Sequence, residues 1–161
     1  MNALVLYDSK YGNTERIAEA IALALQEALP TRLTSVDGVE DCSEALVGVD
    51  LLVVGGPTHA HGVSQPLKDP LKCLGNHSLL GMRAAAFDTR VHGPRLATGS
   101  AAVRLERLLR HRGAWVVVPP QSFLVQGTEG PLDEGELERA RTWAREVLHA
   151  AGVRLPTPSG A

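Results

Sequence analysis

The chain has 161 residues with 44% hydrophobic side chains, enough for one domain with a sizeable core and too little for a second. Its 16 basic and 18 acidic residues nearly cancel, and a formal net charge of -2 excludes the broad positive footprint of a nucleic-acid binder. Cys42 and Cys73 form no CxxC pair and no apolar stretch reaches bilayer length, so a reduced, cytoplasmic protein without a membrane span is expected.

The first apolar run, NALVLYD, is followed by the small-residue turn SKYGNT and then by TERIAEAIALALQEAL. In that segment Ile17, Ile21, Leu25 and Leu29 recur every fourth residue, which predicts a helix with one stripe packed on a sheet. Further short runs, TRLTSV, DLLVVGG, RAAAFDT and AWVVVPP, are rich in Val, Leu and Ala and read as strands buried on both faces. Helical patterns recur in SAAVRLERLLRHRG, ending at Gly113, and in DEGELERARTWAREVLHAAG, acidic early and basic late. Segments 40–50 and 64–80 are weaker, because Pro66, Pro70 and several glycines interrupt any helix there. Trp115 and Trp143 are assigned to core packing, and Arg104, Arg107 and Arg110 to a solvated helix face. Segment 119–135 is longer than a simple connection: completing the last strand, covering a ligand and meeting a partner all stay open. Strands alternating with helices imply an α/β fold with a parallel sheet, placed here in a single domain at 1–152 with a frayed tail at 153–161.

In such sheets ligands bind beyond the carboxyl ends of the strands, which selects the loops SKYGNT, GGPTHAHGVSQP and DTRVHGPR. The first offers the Ser9 and Thr14 hydroxyls, a flexible Gly12 and backbone donors running into a helix N-terminus, a set suited to a phosphate monoester or to nothing more than a capped turn. It is neither GxxxxGK[ST] nor GxGxxG, so a nucleoside triphosphate or dinucleotide is not expected. A phospho-accepting receiver needs a carboxylate at the end of the third strand, where this chain has Gly55, Gly56 and Pro57. An α/β-hydrolase needs a GxSxG elbow, which is absent. The six histidines show no metal-ligand spacing with cysteine or carboxylates, and no catalytic residue is named.

YDSKYGNTERIAEAIA, VVGGPTHAHG and AAFDTRVHG together resemble the flavodoxin family over nearly the whole chain. The resemblance implies a flavodoxin-like three-layer sandwich: a five-stranded parallel sheet in the order 2-1-3-4-5, helices on both faces, and FMN across the three loops. By the same resemblance Ser9, Lys10, Tyr11, Gly12, Asn13 and Thr14 surround the FMN phosphate, with Lys10 free to stay in solvent. Pro57 and Thr58 flank the ribityl chain, and His59, Ala60, His61 and Gly62 face the flavin ring, the His61–Gly62 peptide being the expected redox-sensitive element. Asp88, Thr89, Arg90, His92 and Gly93 meet the pyrimidine edge, where Arg90 or Arg95 would favour the reduced anion. Unlike many members, the second and third loops contain no Phe, Tyr or Trp to sandwich the ring, which leaves either His59, His61, His92 or Tyr11 to cover it or a more exposed ring.

The expected function is electron transfer, the flavin cycling between oxidised, semiquinone and reduced states with a redox partner protein or a small-molecule acceptor. The alternatives are an FMN-dependent oxidoreductase of the quinone or protoporphyrinogen type and a flavin-free interaction module.

Overall fold

The computed structural model describes residues 1–59, 62–72 and 78–155. Strand β1 (Ala3–Tyr7) lies between β2 (Thr31–Ser35) and β3 (Leu51–His59), and β5 (Arg83–Val91) follows β3, all parallel. The expected fifth strand is present in two pieces, β6 (Trp115–Val116) and β7 (Gln121–Val125), each parallel to β5. Pro119 and Pro120 between them carry no N–H for the ladder, so the edge strand must break there. With the two pieces counted as one, the order is the expected 2-1-3-4-5; a short β4 (Gly62–Val63) folds back antiparallel on β3.

Because side chains alternate across a strand, each strand feeds two cores. Val5, Tyr7, Val53, Ala85 and Phe87 face α1 (Asn13–Gln26) and α6 (Glu136–Ala150), meeting Ile17, Ile21, Leu25, Ala144 and Val147. Each Val, Leu, Ile or Phe side chain here removed from water contributes roughly 1.5–3 kcal/mol. Phe87, Phe123 and Trp143 pack edge to face with ring centroids 6.1–6.2 Å apart. Gly55 makes room for this cluster, since a Cβ there would sit 2.1 Å from Phe87 Cζ.

Leu4, Leu6, Leu52, Val54, Ala84 and Ala86 face the other way, toward α3 (Gln65–Lys72) and α5 (Ala101–His111), and are covered by Leu67, Leu105 and Leu109. The short helices α2 (Cys42–Ala45) and α4 (Arg95–Thr98) complete the set.

Two local expectations fail. Helix α3 forms in spite of Pro66, which lies in the first turn, where no intrahelical donor is required, and of Pro70, which has no N–H to give the Pro66 carbonyl one turn back. Trp115 is 59% exposed, its ring under the Arg83 guanidinium at 5.7 Å, because β6 is an edge piece with one face uncovered. Trp143 is buried as expected.

Val153–Leu155 follow the last helix, and residues 156–161 of the expected tail lie outside the described residues, as do Cys73 and His77. No described helix is long and apolar enough to cross a membrane.

Candidate functional site

Helices α1 and α5 both point their N-termini at the carboxyl edge of the sheet, and the chain treats the two ends differently. At α5 the first-turn amides are taken. Ala101 N donates to Thr58 Oγ1 (2.9 Å), Ala102 N to Asp88 Oδ2 (3.0 Å) and Val103 N to Ser100 Oγ (3.4 Å). Asp88 is fully buried, and its Oδ2 also accepts from Thr58 Oγ1 at 3.0 Å and Ser100 Oγ at 2.7 Å. A carboxylate of the chain itself thus occupies the positive end of the α5 dipole.

At α1 the N-cap is Gly12, in the left-handed region at φ 88°, which contributes no side-chain cap. Ser9 Oγ accepts from Gly12 N (3.1 Å) and Glu15 N (3.3 Å), drawing the loop into a ring. The Asn13 and Thr14 amides are left without a protein acceptor among the described residues.

In front of this open terminus lies a cleft of about 250 Å³. The first loop supplies Lys10, Tyr11, Asn13 and Thr14 to its wall, the second Pro57 and Thr58, and the third Thr89, Arg90 and Val91. Thr98, Val125 and Thr128 close it, and no Asp or Glu lines it among the described residues. Thr14 Oγ1 and Thr89 Oγ1 are 2.7 Å apart and buried, tying the first loop to the third across the cleft floor.

The strand order thus brings together most of the loop residues singled out from the sequence, but several side chains serve the protein first. Thr58 and Asp88 turn toward α5. The Arg90 guanidinium donates to Gly93 O (2.9 Å) and Thr98 Oγ1 (2.8 Å), bracing its own loop. His92 Nε2 is 2.6 Å from Asp133 Oδ2, which links the third loop to the segment after β7. Lys10 is exposed, its Nζ 5.3 Å above the Tyr11 ring, and Arg95 reaches Ser122 Oγ at 3.5 Å. Gly62 packs under Arg104. Ala60, His61 and the His59 side chain lie outside the described residues, and with them the His61–Gly62 peptide.

The segment after β7 answers the question its length raised. It completes the sheet and then doubles back, Gln126 N donating to Pro131 O and Asp133 N to Leu124 O, both at 2.9 Å. Asn13 Nδ2 donates to Glu129 O at 3.1 Å, so the turn is fastened to the first loop, and Thr128 reaches the cleft. Glu136 and Arg139 hold it from behind: Glu136 Oε2 accepts from Leu124 N at 2.7 Å and pairs with Arg139, which also donates to Ser122 O.

Ser100, Thr98 and Thr128 were not singled out from the sequence. Ser100 had a signal, a serine directly before an amphipathic run. Thr128 had only the length of segment 119–135, for which covering a ligand was one open use, and the fold carries it to the cleft.

The family model described as Flavodoxin matches residues 5–143. Among solved structures, the oxidised flavodoxin 1 of Bacillus cereus superposes with a TM-score of 0.78 at 21% identity, over 92% of this chain and 98% of that one. A WrbA-like flavodoxin protein of Agrobacterium tumefaciens gives 0.71 at 23% identity, over 94% and 97%. The rubredoxin oxygen:oxidoreductase of Desulfovibrio gigas gives 0.76 at 19%, over 94% of this chain and 36% of that one. At these identities the likeness establishes the fold. No curated protein matches the chain.

Proposed function

The chain belongs to the flavodoxin family, and we propose that it binds FMN in the cleft before α1 and exchanges electrons through it with a partner protein or a small-molecule acceptor. The observation that carries this reading is the contrast between the two helix ends. The α5 terminus holds Asp88, whereas the α1 terminus offers open amides beside hydroxyls and a wall without carboxylates. That donor set fits a phosphate monoester, with charge supplied by the helix end and by Lys10 at the rim.

Bound FMN supplies one- and two-electron redox chemistry. The chain's own residues hold and orient it. The Asn13 and Thr14 amides receive the phosphate, while the Thr14–Thr89 contact keeps the first and third loops at a fixed separation. The turn around Glu129 excludes water from one side, and Arg90, braced by Gly93 and Thr98, keeps a positive charge near the cleft.

The test is the visible spectrum of the purified protein before and after adding FMN, repeated with Thr14→Val. Wild type should take up FMN, and the variant should bind about tenfold more weakly for one lost hydrogen-bonding group in a polar site. A colourless protein that ignores added FMN rejects the proposal and leaves the flavin-free module. Stepwise reduction of the loaded protein then separates two uses. Well-spaced one-electron steps mark an electron carrier, and a single two-electron step with quinone turnover marks the oxidoreductase.

A further inference from the structure

The face of α4 beside the cleft carries apolar groups that the fold leaves in water. Leu96 is 102% exposed, and Val91, Pro94 and Ala97 around it are exposed as well, as is Tyr11, which lines the same cleft from the first loop. One exposed leucine is ordinary, but several apolar groups at one rim make a contact surface. The turn that presents Leu96 is braced from beneath. The Arg90 guanidinium donates to Gly93 O at 2.9 Å and to Thr98 Oγ1 at 2.8 Å, and Thr98 Oγ1 donates to Pro94 O at 3.2 Å. Thr98 N also donates to Pro94 O, at 3.0 Å. An anchor on a backbone fixed in this way loses little conformational freedom when it docks.

Charge decides what this surface can meet. From Thr89 to Leu105 the chain has Arg90, His92, Arg95 and Arg104 and no Asp or Glu. Lys10 adds a cation from the first loop, on the wall it shares with Arg90. The arginines of α6 are each paired, Arg139 with Glu136, Arg141 with Glu138 and Arg145 with Glu27. Lys10, Arg90 and Arg95, by contrast, make no ion pair among the described residues, and His92 meets Asp133. Glu129 and Glu134 are exposed on the segment after β7, so the uncompensated positive charge lies on the α4 side of the cleft. A basic protein would bring like charges together there, whereas an acidic one is steered to it.

We infer that this face is the docking site of the protein that exchanges electrons with the flavin, and that this partner is acidic. Its carboxylates lie against Lys10, Arg90 and Arg95, around an apolar hollow that receives Leu96. The inference deepens the FMN reading and rests on it for the electron exchange, but the docking itself is measurable without flavin.

The test is a backbone amide NMR titration of the full chain, with and without FMN, against two small electron carriers of opposite charge: an acidic plant-type ferredoxin and a basic c-type cytochrome. The ferredoxin should bind more tightly, shift the amides of residues 90–98 and lose affinity as salt is added. Leu96→Ser, at a side chain wholly in solvent, should weaken it about tenfold with the denaturation midpoint and the FMN spectrum unchanged. Arg95→Glu should also weaken it about tenfold and flatten the salt dependence, whereas Arg141→Gln on α6 should leave it unchanged. Tighter binding of the cytochrome, shifts confined to other faces, no saturable shift, or unchanged affinity in Leu96→Ser would overturn the inference. A chain that takes up no FMN yet shows the ferredoxin shifts at residues 90–98 supports the docking face and fails the flavin reading alone.

Discussion

Asp88→Ala should destabilise the protein by about 3 kcal/mol, and the figure follows from what the buried carboxylate holds. Its Oδ2 accepts from two hydroxyls and one amide, those of Thr58, Ser100 and Ala102. Truncation leaves these donors without their acceptor in a site closed to solvent, at about 1–3 kcal/mol for each that finds no substitute. The hydroxyls can rotate toward other acceptors, and removing a buried charge returns part of the cost, which brings the sum toward the lower end. Asp88→Asn keeps an oxygen for the same donors but loses the charge that strengthens their bonds, and should cost about half as much. Urea denaturation gives both values, with an unchanged slope showing that the unfolded state is the same. Affinity for FMN should fall in parallel, because Thr58 and the start of α5 stand on this carboxylate. A loss below about 1 kcal/mol in Asp88→Ala would refute the reasoning, as it would mean that the network around the carboxylate is dispensable.

Further consequences can be measured on the same material. Gly12→Ala meets no atom within 4 Å but must hold φ 88°, so it should cost about 1 kcal/mol in denaturation and weaken FMN binding, with Gly12→Asn milder on both counts. Gly55→Ala drives a methyl group into the Phe87 ring and should cost more unfolding free energy in denaturation than the about 1–3 kcal/mol usual for overpacking. Asp133→Asn removes the partner of His92 at an exposed position; it should change stability by less than about 1 kcal/mol while speeding FMN release in stopped flow. Burial, followed by its hydrogen bond to Glu15, raises Tyr7 from 10.0 to about 12. The folded state therefore holds that proton more tightly than the unfolded chain. The corresponding stability is complete below pH 10 and is lost as the pH rises toward 12, and Tyr7→Phe should flatten the fall measured by denaturation across that window.

The layered α/β architecture, and the sheet edge at which to look for a site, are legible in the chain before any coordinates. The stripe of Ile17, Ile21 and Leu25 and the doubly buried runs of Val, Leu and Ala are local patterns, and each can satisfy its period only as a helix or an inner strand. The open turn at Gly12 was legible for the same reason, as a small-residue loop between a strand and a helix. The break at Pro119 and Pro120 is written in the chain as well, since neither residue has an N–H for the ladder.

The use of each polar side chain is set by the packing of the fold, because its partners are distant in sequence. Thr14 meets Thr89, Asn13 meets Glu129 and Thr58 meets Asp88, at separations of 75, 116 and 30 residues. No local pattern indicates that Asp88 closes one helix end while Gly12 leaves the other open. Nor does it show that β6, lying at an edge, exposes Trp115. Apolar periodicity is set by neighbours a few residues away, whereas the partner of a buried polar group is whatever the packing of two cores brings within 3 Å or so of it.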